Sequence, residues 1–305
     1  MSGAAAAAAG TWQLGDLPVN RMGFGAMRLT QDGAAFGGQP SDRSRAIAAL
    51  RRAVDLGVNH VDTAAFYFSP TRSANELINA ALAPYPEDLV IVTKVGPGRD
   101  TWGEWTNAAR PEQLRGQVEE NLRQLGRDHL DVVNYRRQAS VSSVAEHVGA
   151  LADLRDAGLI RHIGISGVEP QHLAEAMAIT QVVCVQNAYS IADRRPESEE
   201  LLHACGAAGV AFVPFFSIVG AARHAGPPAT EPQALTEVAR RHQASTAQIR
   251  LAWTLHLGPH LLAIPGTGNP EHAAENVAAA AIKLSGADLA ALDSIGAPAG
   301  HAPAG

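Results

Sequence analysis

The sequence predicts a closed parallel (β/α)8 TIM barrel of the α/β class, with an N-terminal hairpin plug. Three observations lead there. Apolar runs of strand length alternate with amphipathic runs of helix length along most of the 305 residues, and the strand-then-helix unit recurs eight times. The strands are apolar on both faces, as strands buried between a packed interior and an outer ring of helices must be. No Gly-x-Gly-x-x-Gly follows any strand, which counts against an open dinucleotide-binding sheet.

Taken in order, Met1 to Gly10 is nearly all alanine, lacks the basic start and bulky apolar centre of a signal peptide, and reads as a disordered tail. Thr11 to Arg21 reads as the hairpin plug. The strand candidates are Met22–Gly25, Val58–Asp62, Leu89–Lys94, Leu130–Arg136, Ile160–Ser166, Val182–Gln186, Gly209–Pro214 and Leu261–Ile264. Between them, Ile47, Leu50 and Val54 share a helical face, as do Leu114, Val118, Leu122 and Leu125, and Val144, Val148, Leu151 and Ala152. Ser143 to Glu146 has the pattern of a capping box, Pro111 and Pro170 stand near first-turn positions, and Asn269 precedes Pro270 as an N-cap. The barrel domain spans residues 11–295, and 296–305 is a short flexible tail of low complexity.

Composition limits the partners. A net charge of -6 with a pI near 6.0 gives no basic surface for nucleic acid, and no uninterrupted apolar run has membrane-spanning length. With only Cys184 and Cys205, a disulfide framework is not expected; buried inert thiols and a cytoplasmic location fit better. The expected partner is a small-molecule substrate.

If the fold is a barrel, its chemistry sits where strands hand over to the following loops. There Asp62 ends the second strand, Tyr67 lies in its loop, Lys94 ends the third and Arg136 the fourth. An ammonium beside a phenol stabilises the phenolate and lowers its pKa, and a carboxylate orients the ammonium, so Tyr67 becomes a tunable proton donor. The bland alternative is an Asp62–Lys94 ion pair that only ties two strands together. His60-Val61-Asp62 also imitates a barrel metal site, as in a metal-dependent hydrolase, but Lys94 nearby would repel a cation. Trp102 and Trp105, in the loop after the third strand, either wall a substrate pocket or cover the barrel. Ser217 to Pro232, rich in Gly, Ala and Pro, is a candidate lid.

The run Asp62-Thr63-Ala64-x-x-Tyr67 followed by Thr93-Lys94-Val95 resembles the aldo-keto reductases. The resemblance continues through Ile163–Ser166, Val185–Tyr189, Gly209–Phe215 and Ile264–Thr267, then Glu271-His272 and Glu275-Asn276, and covers about Gly23 to Asp293. It implies an NAD(P)H-dependent oxidoreductase that reduces an aldehyde or ketone, with Tyr67 as proton donor tuned by Lys94 and Asp62. By the same resemblance Ser166 and Gln186 hold the nicotinamide carboxamide and Phe215 stacks on the ring. Thr267, Asn269 and His272 meet the adenosine phosphate at a helix N-terminus. Ala26, Met27, Asp62, Gly266, Glu275 and Asn276 complete the cofactor contacts. Tyr67, Trp102, Trp105 and Arg136 face the substrate.

The chain departs from the family pattern in three places. Arg136 stands where most members have a catalytic histidine; a guanidinium donates hydrogen bonds or anchors an acid but does not titrate. Similar Asp-Val-Val-Asn-x-Arg segments mark a bacterial subset, and reduction of a polarised C=C or C=N bond stays open beside carbonyl reduction. Gly167 replaces an asparagine that often contacts the carboxamide. Gly266 and His272 replace the Lys and Arg that commonly grip the 2'-phosphate, so NADPH is expected as cofactor with NADH possible. A redox-sensing regulatory subunit is a different reading, but the alanine tail supplies no helical or basic docking segment.

Overall fold

The computed structural model describes residues 5–32, 39–100, 102–106, 108–218 and 231–295. Seven parallel strands pair in chain order: β1 (Phe24–Gly25), β2 (His60–Asp62), β3 (Val90–Val95), β4 (Leu130–Arg136), β5 (Ile160–Ser166), β6 (Val182–Gln186) and β7 (Ala211–Phe212). β4, β5 and β6 have the bounds read from sequence, and the others are shorter or shifted by a few residues. The eighth stave is the weakest. Leu261–Ile264, expected as a full strand, makes single bridges, Leu261 to Phe212 and Ala263 to Met22. Pro265 follows at once and has no N–H to extend the ladder. Backbone hydrogen bonds still run along both seams: Leu262 N to Phe212 O at 3.0 Å, Gly23 N to Ala263 O at 2.8 Å and Ala263 N to Arg21 O at 2.9 Å. The barrel is closed.

Two cores result from the period of two. Val90, Val92, Val132, Ala211 and Leu262 pack inside the barrel, joined by both Val183 and Cys184 where a register shift between β5 and β6 breaks the alternation, whereas Ile91, Val95, Val133 and Tyr135 face the helices. Leu14 and Val19 of the antiparallel hairpin Thr11–Leu14/Leu17–Asn20 join the inner cluster, so the hairpin stoppers the barrel floor. Its tip is pinned by Asp16, which accepts from Arg161 at 2.7 Å and His162 at 2.6 Å. Both bonds hold the Asp16 carboxyl well below the usual range.

Alternation also sets what reaches the mouth. Continuing inward past Val92 and Val132 gives Lys94, Asn134 and Arg136, and the register sets Arg136 beside Ser166 and Ser166 beside Gln186. Both cysteines are buried, and burial pushes their thiols up to about 12.

Some local expectations need correction. Part of the segment 1–10, read as a disordered tail, is ordered: Ala6–Ala9 form a 3-10 turn, Ala6 is fully buried, and its N–H donates to Leu56 O at 3.0 Å. Alanine loses no rotamer freedom on burial, so the close approach is cheap. Arg21 secures the turn by donating to Ala9 O at 3.0 Å, and its other donors reach Leu261 O, Leu255 O and Gly258 O. The Ser143 capping box does not form. Ser143 Oγ donates instead to Glu175 of the next helix at 2.5 Å, and Glu175 also accepts from Val144 N at 2.8 Å. Asn269 and Pro270 do start their helix as expected, with the Asn269 side chain accepting from Glu271 N at 2.9 Å. Residues 219–230 of the expected lid and the whole 296–305 tail lie outside the described residues. Among the described residues no helix is long and apolar enough to cross a membrane.

His60 offers a test of the floor. Its ring fills the space left by Gly23, where a Cβ would lie 2.1 Å from Nε2, and neither ring nitrogen has a well-formed partner. Burial lowers its pKa to about 4, offset only in part by the Asn20 backbone. The folded chain therefore keeps His60 neutral in a range where the unfolded chain, from about 6.5, binds a proton. Stability should fall as pH drops from about 6.5 to about 4, by about 3 kcal/mol from this group. Urea midpoints across that window check it, and the fall should be clearly smaller in His60→Gln.

Candidate active site

Asp62, the last residue of β2, and Lys94 of β3 are both buried at the mouth, and Lys94 Nζ lies 2.5 Å from Asp62 Oδ1. The same ammonium donates to Thr63 O at 3.0 Å. The other Asp62 oxygen, Oδ2, accepts from Gln186 Nε2 at 2.8 Å. A carboxylate can only accept, so this bond fixes which end of the Gln186 amide faces it.

Behind this layer runs a buried polar ladder. Thr63 Oγ1 donates to Asn75 at 2.7 Å, Asn75 Nδ2 to Asn121 Oδ1 at 2.9 Å, and Thr93 Oγ1 to the same Asn121 oxygen at 2.6 Å. Thr63 and Thr93 adjoin Asp62 and Lys94 in the chain, so the ladder locks the ends of β2 and β3 together from the helix side. The sequence does carry a signal for it: two asparagines, Asn75 and Asn121, on otherwise apolar helix faces.

Tyr67 is buried and lies with its ring centroid 5.0 Å from Lys94 Nζ. Its phenol pKa is raised, not lowered as the sequence argument had it. Burial is the largest influence and pushes it up, while the Lys94 charge and hydrogen bond and the Arg136 charge pull it down without prevailing. For Lys94 the balance goes the other way: burial favours the neutral amine, but Asp62 and Tyr67 together outweigh it and raise the pKa. Both groups hold their protons at neutral pH.

Arg136 ends β4 with Nη1 3.2 Å from Ser166 Oγ and Cζ 5.0 Å from the Phe215 ring centroid. Gly167, next in the chain after Ser166, has φ +68°. Asn187 Oδ1 pins that turn by accepting from Gly167 N at 2.9 Å and Val168 N at 3.1 Å. Phe216, beside Phe215, also has a left-handed backbone, φ 65°, uncommon for a bulky residue.

These groups open on one cavity of about 850 Å³. Asp62, Tyr67, Lys94, Arg136, Ser166, Gln186 and Phe215 line it, as do Met27, Gly266, Thr267, Asn269, His272, Glu275 and Asn276. Two expected residues are not there. Ala26 is fully buried in the core, and Gly25 lines the cavity instead. Trp102 stands 88% exposed away from the wall, whereas Trp105 lines it, packed edge-on to Phe66 at 5.7 Å. Sequence reasoning also missed Arg28 and Arg45, which enter the wall from the loop after β1 and from the first turn of helix Arg43–Asp55. Nothing in their local pattern marks them. Among the described residues no cluster of His, Cys, Asp or Glu is placed to hold a metal ion.

One buried atom shows what the cavity fits. With its nitrogen committed to Asp62, Gln186 presents Oε1 as a buried acceptor with no hydrogen-bond partner. Ser166 Oγ accepts from Arg136 and keeps its own proton to donate. An acceptor and a donor side by side at the cavity floor match a primary carboxamide such as that of a nicotinamide.

The sequence profile described as Aldo/keto reductase family matches residues 21–297. The chain belongs to that family. It is 41% identical over 291 residues to a pyridoxine 4-dehydrogenase of Escherichia coli, covering 93% of this chain and 98% of that enzyme. Among solved structures, a thermostable aldo-keto reductase in complex with the inhibitor epalrestat is 32% identical with a TM-score of 0.75, covering 93% of this chain and 99% of that one. An aldo-keto reductase from Klebsiella pneumoniae in complex with NADPH is 26% identical with a TM-score of 0.74, covering 92% and 93%.

The buried ion pair gives a stability test. Lys94→Met takes the cation from the Asp62 carboxylate and leaves it the Gln186 amide, and should cost about 3–5 kcal/mol in urea unfolding. Asp62→Leu combined with Lys94→Met should regain most of that loss. A cost under ~1 kcal/mol for the single variant would mean that the carboxylate finds water instead.

Proposed function

We propose that this chain is an NAD(P)H-dependent reductase that converts an aldehyde or ketone of a small organic substrate to the alcohol, with Tyr67 as the proton donor. The observation that carries the reading is the unpartnered Gln186 acceptor beside a protonated Tyr67 in one cavity. A nicotinamide seat and a proton source then adjoin. When bound, a reduced nicotinamide supplies a hydride to the carbonyl carbon.

The chain's own residues supply the rest. Gln186 Oε1 accepts from the carboxamide, Ser166 donates to it, and Phe215 flanks the ring, which fixes the face presented to substrate. Thr267, Asn269 and His272 gather at the first turn of helix Pro270–Ala278, where backbone N–H groups favour a phosphate. Tyr67 gives its phenolic proton to the carbonyl oxygen as the carbon is reduced, so no free alkoxide forms. Lys94 stabilises the phenolate left behind, Asp62 balances Lys94, and solvent returns the proton. NADPH is favoured over NADH because Arg28 and Arg45 line the same cavity as His272. The likeness to a pyridoxine 4-dehydrogenase makes pyridoxine, oxidised with NADP+, the first substrate to try in the reverse direction.

Loss of reduced-nicotinamide absorbance with a panel of aldehydes tests the assignment. Tyr67→Phe should lower kcat by about 10²–10⁴-fold while NADPH binding, followed by fluorescence, changes little. Undiminished turnover in that variant would remove Tyr67 as the acid. Because the Tyr67 pKa lies above the ordinary tyrosine value of 10.0, reduction should lose rate only on the alkaline side of it. Lys94→Met should shift that limb further up, since Lys94 pulls the phenol down.

A further inference from the structure

We infer that Arg136 selects carbonyl substrates that carry an oxyanion beside the carbonyl group, such as the ortho phenolate of an aromatic aldehyde, and that Gly167 is the vacancy that lets it do so. The inference rests on the carbonyl-reductase reading of this site.

Arg136 is a half-buried cation with most of its hydrogen-bonding capacity unspent. Of its five N–H donors, one reaches Ser166 Oγ at 3.2 Å, and the guanidinium lies over Phe215. The nearby carboxylates are engaged elsewhere: Asp62 with Lys94 and Gln186, and Glu169 with Arg137 at 3.0 Å. Among the described residues none stands within ion-pair distance of Arg136. A half-buried guanidinium without a counter-ion is free to take acceptors that a ligand brings.

The position of the cation says where those acceptors lie. Arg136 and Tyr67 line the same cavity and feel each other's charge. With the Tyr67 hydroxyl on the carbonyl oxygen, the group that meets Arg136 is attached close to the carbonyl carbon. A planar guanidinium donates to an oxygen held in the plane of the carbonyl group, which the ortho oxygen of a 2-hydroxy aldehyde presents. Phe66, Trp105 and Phe216 in the wall suit its flat ring.

Gly167 links two departures from the family pattern into one arrangement. A Cβ there would stand 2.6 Å from Arg136 Nη1 and 3.1 Å from Arg137 O. The turn is held by Asn187 and has little freedom to yield, so a side chain at 167 would drive the guanidinium from its seat. The arginine and the glycine are therefore coupled: a side chain at either the one or the other occupies this space.

The test compares kcat/KM for 2-hydroxybenzaldehyde, 4-hydroxybenzaldehyde and benzaldehyde, with NADPH and the full chain, at a pH where the phenols are partly ionised. One charge-assisted hydrogen bond in a dry site should favour the 2-hydroxy compound by about ten- to a hundredfold over both others. Arg136→Met should bring that ratio near one. Gly167→Asn, whose residue type tolerates the left-handed backbone, should do the same while the arginine stays in the chain. Salicylate binding to the complex with NADP+, read by calorimetry, should weaken in parallel in both variants. A wild-type ratio near one, or a ratio that survives Arg136→Met, overturns the inference and leaves the reductase reading standing. Equal loss for all three aldehydes in Arg136→Met also overturns it, placing Arg136 on the carbonyl itself. No turnover of any aldehyde, with or without Tyr67, brings down both.

Discussion

The constraint on which the rest depends is the contact between Lys94 and Asp62 at the mouth of the closed barrel. An ion pair sealed from water is an uncertain source of stability, because removing two charges from solvent costs much of what their attraction returns. Here the geometry limits the cost. The ammonium also reaches the Thr63 carbonyl, the carboxylate also receives the Gln186 amide, and the threonine–asparagine ladder fixes both strand ends from behind. With β3 and β6 each sending a donor to one oxygen of the same β2 carboxylate, the distances among β2, β3 and β6 have little room to vary. That rigidity is what allows Gln186 to present an unpaired oxygen at a fixed place.

The same cluster explains where protons reside. Burial alone would neutralise Lys94 and keep Tyr67 protonated; the neighbouring negative charge reverses the first outcome and leaves the second. For the reduction proposed above, a donor that holds its proton at neutral pH, beside a cation that stabilises the charge it leaves, suits better than a phenol already half ionised would. Lys94 does pull the phenol down as its charge implies, but burial outweighs it, and that burial arises only once the loop around Tyr67 is folded.

Much of this was legible beforehand because barrels turn sequence position into spatial position. Strand alternation put Lys94, Arg136, Ser166 and Gln186 on the inner face, and each strand's final inward residue reaches the rim. The Asn269-Pro270 start was equally plain. What failed was whatever depended on partners distant in the chain. Ser143 carried a local cap pattern, yet Glu175 from the neighbouring helix claims its hydroxyl. Trp102 and Trp105 look alike on paper, and only packing against Phe66 separates the one that lines the cavity. Arg28 and Arg45 have no motif at all. The alanines ahead of the hairpin, too plain to suggest order, find a place because small side chains fit where larger ones would not.

That alanine turn has a practical corollary. It lies under the stoppered floor, against Leu56 and the Arg21 side chain, at the opposite end from Tyr67 and the cofactor groove. A tether that immobilises the protein through the Ala6–Ala9 turn would leave the entrance facing the bulk liquid. Cutting those residues back past Ala6, however, would strip a bolt from the seam between the first and last staves, so attachment there should extend the chain and not replace it.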